Sequence, residues 1–116
     1  MTGQMTHRAT PPVTRHAWVL EVRPGCEEEY LRRHDEIWPE MLETLREAGI
    51  RNYTIFRHGL LLFGAFETDD LEATQAYLAD DPVNARWAEW MAPIMKVDTD
   101  PRTRFPYLLP RQFHMD

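Results

Sequence analysis

The first apolar segment of the chain alternates between inward and outward positions. From His16 to Val22, the large side chains of Trp18, Leu20 and Val22 fall on every second residue. This period of two is typical of a strand that buries one face. A proline–glycine pair at positions 24 and 25 follows directly, and it ends the predicted strand.

The next apolar pattern has the period of a helix. One predicted face carries aromatic and apolar side chains with a single histidine among them: Tyr30, Leu31, His34, Ile37, Trp38, Met41, Leu42 and Leu45. Three glutamates at positions 27–29 favour the helix start, and Gly49 is placed to cap its end after Ala48. Because Pro39 removes a backbone hydrogen bond, we expect the helix to bend or restart, with the chain turning just after His34.

Two further strands are predicted as an antiparallel hairpin. The first runs from Ile50 to Phe56, the second from Leu60 to Glu67, and His58-Gly59 forms the tight turn between them. The second of these strands is apolar on both faces, whereas a sheet covered on one side alternates. We therefore expect something to cover its other face.

The rest of the chain predicts two helices and a short strand. One helix covers residues 68–79, and Asp81-Pro82 starts another, in which Trp87, Trp90, Met91 and Ile94 have helical spacing. Residues 105–109 are a candidate edge strand, interrupted by a proline. The resulting order of strand, helix, strand, strand, helix, strand is that of the ferredoxin-like α+β fold, with an antiparallel sheet. A homodimer that packs sheet against sheet would cover the open face.

Composition and charge narrow the classes of function. The chain has 116 residues, 43% hydrophobic and 28% charged, which suits one domain. Its formal net charge is -6, and arginines are scattered among acidic residues, so we expect no nucleic-acid partner and no binding to anionic membranes. A single cysteine, Cys26, cannot form an internal disulfide, and this indicates a reducing, cytoplasmic setting.

The two ends of the chain are expected to lie outside the domain. Residues 1–14 resemble a flexible leader without the apolar core of a signal peptide, residues 15–110 form the domain, and residues 111–116 a short tail. Apolar runs in the sequence stay below the roughly 20 residues that span a bilayer.

His34 is the first candidate for chemistry. A histidine on an apolar stripe is more often a hydrogen-bonded structural residue, so the pattern alone leaves both explanations open. His58 and His114 fall in a turn and a tail, and we predict no metal site. The sequence carries neither a glycine-rich phosphate loop nor a serine-centred nucleophile motif, which argues against nucleotide and acyl-transfer enzymes.

Several motifs together resemble one family. Glu28-Glu29-Tyr30-Leu31-Arg32-Arg33-His34, then Ile37-Trp38-Pro39-Glu40, Asn52-Tyr53 and Arg86-Trp87 are similar to the L-rhamnose mutarotases, over residues 16 to about 109. The resemblance implies a small dimeric α/β-barrel isomerase that interconverts the anomers of a monosaccharide. It also implies that His34 is the catalytic proton donor and that Tyr30, Tyr53 and Trp87 bind the sugar.

Such a reaction suits these residue types. Opening a pyranose ring requires a proton on the ring oxygen while the anomeric hydroxyl loses one, and an imidazole can exchange protons near neutral pH. No metal or organic cofactor is required. Water, Tyr30 or Asp35 could supply the second proton transfer. Aromatic faces pack on the C–H side of a sugar, and tyrosine hydroxyls bind its oxygens.

One position departs from the family pattern. Relatives often carry a second tryptophan directly after the one at Trp87, where this chain has Ala88, followed two residues later by Trp90. A missing aromatic wall favours another 6-deoxyhexose or a bulkier substrate, unless Trp90 fills the gap. Two other functions stay open: a non-catalytic sugar-binding module, and a monooxygenase-like dimeric α/β-barrel enzyme acting on a different small molecule.

Overall fold

The strands and helices follow the order that the sequence predicts as far as Met91. The computed structural model describes residues 13–96 and 99–116. Along them the elements are β1 Thr14–Glu21, α1 Glu27–Asp35, α2 Pro39–Glu47, β2 Arg51–His58, β3 Leu61–Thr68, α3 Leu71–Asp80 and α4 Pro82–Met91. A short 3-10 turn, Ala92–Ile94, continues α4. The predicted start of α3 at residue 68 is three residues early, because Asp70 caps the helix by accepting the Ala73 amide at 3.1 Å.

The sheet is antiparallel in the order β1-β3-β2. β2 and β3 form the predicted hairpin, in which Gly59 takes a positive φ of 61°. Helices cover one face of the sheet, and the core between the two layers contains Trp18, Leu62 and Phe66, each at most 2% exposed. This is the ferredoxin-like α+β architecture expected from the order of the elements.

Pro39 divides the predicted long helix into two. α1 ends at Asp35, Trp38 is extended with ψ of 135°, and Pro39 is the first residue of α2. The residue before a proline avoids helical angles, which explains the break and confirms the expected turn after His34. The single apolar face expected across positions 30–45 is wrong in two respects: Leu31 is 61% exposed, and Trp38 belongs to a new helix start.

The predicted edge strand at residues 105–109 does not form. Leu108 makes one isolated bridge with Trp18, and the Leu109 amide donates to the Ala17 carbonyl at 2.8 Å. Farther along β1, Val22 forms a similar bridge with Met95. Two short contacts therefore take the place of a fourth strand on the β1 edge, since prolines at 106 and 110 cannot donate to a ladder.

The face of the sheet away from the helices is apolar and open. In the ladders, Val19 lies opposite Phe63, which lies opposite Phe56, so these three form one row across the sheet. Phe56 is 66% and Phe63 41% exposed. An Arg15–Glu67 ion pair of 3.0 Å lies at one end of the same face. We call this surface, Val19, Phe56, Leu61 and Phe63, the open sheet face.

The structure covers the predicted leader and the predicted tail to different extents. Residues 1–12 lie outside the described residues, and β1 already begins at Thr14. The tail at 111–116 has neither helix nor strand and is exposed. Within the described ranges, no helix has the length and apolar character needed to cross a bilayer.

Candidate functional site

A cavity of about 310 Å³ lies between the inner face of the sheet and helices α1, α2 and α4. All four candidate residues predicted from the sequence line it: Tyr30, His34, Tyr53 and Trp87. Its volume is at the lower end of the range of about 300 to 1,000 Å³ that is usual for small-ligand sites. Tyr30, His34 and Tyr53 also line a second depression of about 370 Å³ between α1 and β2.

His34 is held in one tautomer. Its Nδ1 lies 3.1 Å from the backbone carbonyl oxygen of Tyr30, one helical turn earlier. Because a carbonyl only accepts, Nδ1 carries the hydrogen in this contact. The neutral ring then has Nε2 as its basic nitrogen, and the residue can accept a proton from a molecule in the cavity.

Burial also favours the neutral imidazole. Desolvation lowers the pKa of His34 below its ordinary value, and it outweighs two opposing effects, the hydrogen bond to the Tyr30 carbonyl and the nearby charge of Asp35. His34 is therefore an available base at neutral pH, and the carboxylate of Asp35 stabilises the imidazolium once it forms.

Tyr30 forms the floor under the imidazole. Its ring stacks on His34 with centroids 4.3 Å apart, and the residue is 7% exposed. Burial raises the pKa of the Tyr30 hydroxyl far above its ordinary value. The hydroxyl stays protonated, so it donates hydrogen bonds and does not act as an anion.

A β-bulge aims Tyr53 at the cavity. Arg51 pairs with Glu67 and Thr54 with Ala65, so two residues of β2 oppose one residue of β3 between these pairs. Within the bulge, Asn52 has a φ of 51°, a conformation that asparagine tolerates well. The Tyr53 hydroxyl accepts a hydrogen bond from Trp18 Nε1 at 3.1 Å, and burial raises its pKa above the ordinary value.

Trp87 closes one side of the site at the centre of an aromatic cluster. It meets the His34 ring edge to face at 5.4 Å and the Trp38 ring edge to face at 5.1 Å. Trp90 packs on Trp38 at 5.2 Å and lies under the guanidinium of Arg33, 4.3 Å from the ring centre. Among the described residues that line the cavity, Ala88 is present and Trp90 is absent, so Trp90 does not fill the gap beside Ala88.

The start of α4 is fixed by a shared carboxylate. Asp81 Oδ2 accepts a hydrogen bond from the backbone N–H of Asn84 at 2.8 Å, and this contact caps α4. The same oxygen accepts from the Thr44 hydroxyl of α2 at 3.0 Å. One carboxyl group thus sets the position of α4 against α2. This contact fixes Trp87 relative to the helices that form the other cavity walls.

Two residues of the site escaped the sequence analysis. Trp18 was assigned to the core from its strand pattern, and nothing in that pattern signals its hydrogen bond to Tyr53. Asn84 had a recognisable signal, since it falls three residues before Trp87 and four before Ala88 on the same helix face. A polar side chain on an inward stripe is the kind of position that identified His34. In the described ranges, no group of three or more potential metal ligands occurs.

Comparison with known proteins decides the family. The family model described as L-rhamnose mutarotase matches residues 15–115. The chain belongs to the L-rhamnose mutarotase family. This membership confirms the resemblance carried by the motifs around Tyr30, His34 and Trp87.

Curated relatives agree along most of the chain. The L-rhamnose mutarotase of Rhizobium johnstonii is 41% identical over 88 residues, which cover 74% of this chain and 82% of that protein. The L-rhamnose mutarotase of Oceanobacillus iheyensis is 36% identical over 104 residues, which cover 88% of this chain and 98% of that protein. The family similarity therefore includes nearly the whole length of such mutarotases.

Solved structures support the fold. The crystal structure of L-rhamnose mutarotase from Formosa agariphila superposes with a TM-score of 0.71 at 28% identity, covering 89% of this chain and 99% of that one. Tetracenomycin F2 cyclase from Streptomyces glaucescens, a type-II polyketide cyclase, superposes with a TM-score of 0.64 at 17% identity, covering 89% of this chain and 97% of that chain. The cyclase shares the fold, and at this identity the likeness says nothing about activity.

Proposed function

We propose that this protein interconverts the α and β anomers of L-rhamnose, with His34 as the acid–base group and Tyr30, Tyr53 and Trp87 holding the sugar. The observation that carries the proposal is the placement of His34. Its Nδ1 is occupied by the Tyr30 carbonyl, its pKa is lowered by burial, and it lines a cavity with three aromatic residues.

The reaction needs proton transfer at two oxygens of one carbon. Neutral His34 takes the proton of the anomeric hydroxyl through Nε2, the C1–O1 bond becomes a carbonyl, and the C1–O5 bond breaks. The imidazolium returns the proton to O5, because O1 and O5 are both bonded to C1 and lie within reach of one nitrogen. Rotation about the C1–C2 bond and closure on the other face give the second anomer, with no net gain or loss of protons.

The aromatic residues orient the ring for this transfer. The hydroxyls of Tyr30 and Tyr53 remain protonated and donate to sugar oxygens, while Trp87 offers an apolar face to the C–H side of the ring. Asp35 stays near His34 and stabilises the transient positive charge. In this mechanism the second proton transfer is assigned to His34 itself, and Tyr30 has a binding role.

We also propose that the protein works as a cytoplasmic homodimer in rhamnose metabolism. The open sheet face supports the dimer, since its central row of Val19, Phe63 and Phe56 is apolar and symmetric pairing of two copies would cover it. Burying this row would remove two exposed phenylalanines per subunit from water. The single cysteine supports a reducing compartment.

The test is magnetisation transfer by proton NMR between the anomeric signals of L-rhamnose. We expect exchange well above the buffer rate with the wild-type protein and a loss of about 10²- to 10⁴-fold with His34→Ala. His58→Ala, which alters an exposed histidine at the end of β2, is the matched control and should retain the wild-type rate.

The same samples separate the alternatives. A protein that binds L-rhamnose without accelerating exchange would be a sugar-binding module, and the proposed activity would be wrong. Equal rates for His34→Ala and wild type would exclude His34 as the acid–base group. If the protein accelerates anomer exchange of another aldose, such as L-fucose, and not that of L-rhamnose, the proposed reaction would hold and the proposed substrate would be wrong.

A further inference from the structure

Asn84 is a buried polar side chain in the wall of the cavity. It is 2% exposed and lies on the face of α4 that also carries Trp87 and Ala88. The proposed mechanism gives this residue no role. A buried amide has two donor hydrogens and an acceptor oxygen, each of which costs free energy if it is left without a partner.

Two backbone carbonyls fix the orientation of the amide. Asn84 Nδ2 donates to the Leu78 carbonyl oxygen at 3.1 Å and to the Arg104 carbonyl oxygen at 3.2 Å. Carbonyl oxygens only accept, so the nitrogen must face them and the amide cannot be reversed. Both hydrogens are thereby used, and Oδ1 faces the other way.

The oxygen of this amide is left over by the contacts of the side chain with the protein. Within residues 13–96 and 99–116, no donor to Oδ1 of Asn84 is found. Because Nδ2 faces the backbone carbonyls and the residue lines the cavity, Oδ1 is the polar atom that Asn84 can offer to a molecule bound there.

We propose that Asn84 Oδ1 accepts a hydrogen bond from a hydroxyl of the bound sugar and makes that hydroxyl a requirement for binding. The inference rests on the proposed function and extends its site by one specificity residue. Tyr30 and Tyr53 supply donors, whereas Asn84 supplies a neutral acceptor held by its own protein contacts. A sugar lacking the matching hydroxyl leaves this acceptor buried and unpaired, and the site discriminates against it.

A deoxy-sugar series tests the pairing. Enzyme-catalysed anomer exchange is measured for L-rhamnose and for its 2-, 3- and 4-deoxy derivatives, after subtraction of spontaneous exchange, with wild type and Asn84→Ala. With the wild-type protein, we expect the catalysed exchange rate of one derivative to be about ten-fold lower than that of L-rhamnose. With Asn84→Ala, we expect the same derivative to exchange as fast as L-rhamnose. The same pattern of preference in both proteins would overturn the proposal.

A second variant separates binding from support of the backbone. Asn84 Nδ2 also lies 3.5 Å from the Thr103 carbonyl oxygen, so it holds residues 103 and 104 together. Thr103 stabilises the same turn, since its hydroxyl accepts from the backbone N–H of Phe105 at 3.2 Å. Thr103→Ala loosens that turn from outside the cavity. If Asn84 acts only through the turn, both variants change the deoxy-sugar preference alike, and the assignment of a sugar contact is wrong.

A titration of the wild-type protein needs no variant. Asn52 and Asn84 are the asparagines of the chain, so ¹³Cγ-asparagine labelling gives two carboxamide signals. We expect saturating L-rhamnose to move the Asn84 signal and leave that of exposed Asn52 unchanged. Normal anomer exchange with an unmoved Asn84 signal would overturn this inference alone, whereas absence of both exchange and sugar binding would overturn the proposed function with it.

Discussion

Trp18 Nε1 donates a hydrogen bond of 3.1 Å to the hydroxyl of Tyr53, and the two rings meet edge to face at 6.4 Å. The Tyr53 oxygen is therefore occupied as an acceptor, and its own hydrogen is free to be donated into the cavity. Trp18 can reach this position because its indole lies directly over Gly64 on the neighbouring strand. A core residue of β1 thus orients a binding residue of β2.

Replacing Trp18 by phenylalanine should weaken sugar binding without affecting the acid–base step. Trp18→Phe keeps an aromatic ring in the core and removes the donor to Tyr53. We expect KM to rise about 2- to 10-fold, with little change in kcat, as one neutral hydrogen bond is lost. In a protein that already carries Tyr53→Phe, Trp18→Phe should cause no further rise in KM. Additive rises in KM would show that the hydrogen bond between the two residues does not support sugar binding.

Gly64→Ala should destabilise the fold because a Cβ at this position would lie 2.2 Å from the Trp18 ring. We expect the free energy of unfolding to fall by about 1 to 3 kcal/mol, as measured by urea denaturation. Combining it with Trp18→Phe should recover part of that loss, since the smaller ring leaves room for the methyl group. Strictly additive losses in the double variant would show that the steric account is wrong.

The rate of anomer exchange should decrease in acid with a midpoint below pH 6.5. Burial lowers the pKa of His34 below its ordinary value of about 6.5, and the protonated imidazole cannot accept the anomeric proton. Asp35→Asn should lower the midpoint further, because the carboxylate charge raises the His34 pKa. The measurement is the catalysed rate from about pH 5 to about pH 8, and a midpoint at or above 6.5 would contradict the prediction.

Ala88→Trp should change which sugars the cavity accepts. Ala88 lines the cavity beside Trp87. The cavity volume is already near the lower end of the range for small-ligand sites, so an indole at position 88 would leave less room for the sugar. L-Mannose carries one more hydroxyl than L-rhamnose. We expect the exchange rate of L-rhamnose divided by that of L-mannose to rise at least several-fold, because one added group changes discrimination in a pocket by about this much. Glu89→Trp, at the next exposed position of α4, is the control and should leave the ratio unchanged.

A charge on the open sheet face should separate the subunits. Phe63→Glu places a carboxylate in the middle of the apolar row formed with Val19 and Phe56. We expect the protein to change from dimer to monomer in light scattering, while Phe113→Glu, in the exposed tail, leaves the mass unchanged. A wild-type monomer would remove the basis for the proposed dimer.

Local sequence signals predicted most of the elements and some of the site. Period-two and helical patterns placed β1, β2, β3 and α4, and Gly49 caps α2 as expected, with the Ile50 amide donating to the Leu45 carbonyl at 3.0 Å. Pro39 predicted the break after His34 because its effect is local. The strand at residues 105–109 was wrong, since single-residue bridges to β1 depend on partners distant in the chain.

The sequence by itself determined the class of fold, the family motifs and the apolar stripe that carries His34, because each depends on side-chain spacing within one element. Only the tertiary structure decided the burial that lowers the pKa of His34, the contact of Trp18 with Tyr53, and the placement of Asn84 in the cavity wall. These features arise where separate elements pack together. Burial and hydrogen-bond partners are properties of that packing, and no pattern within one element contains them.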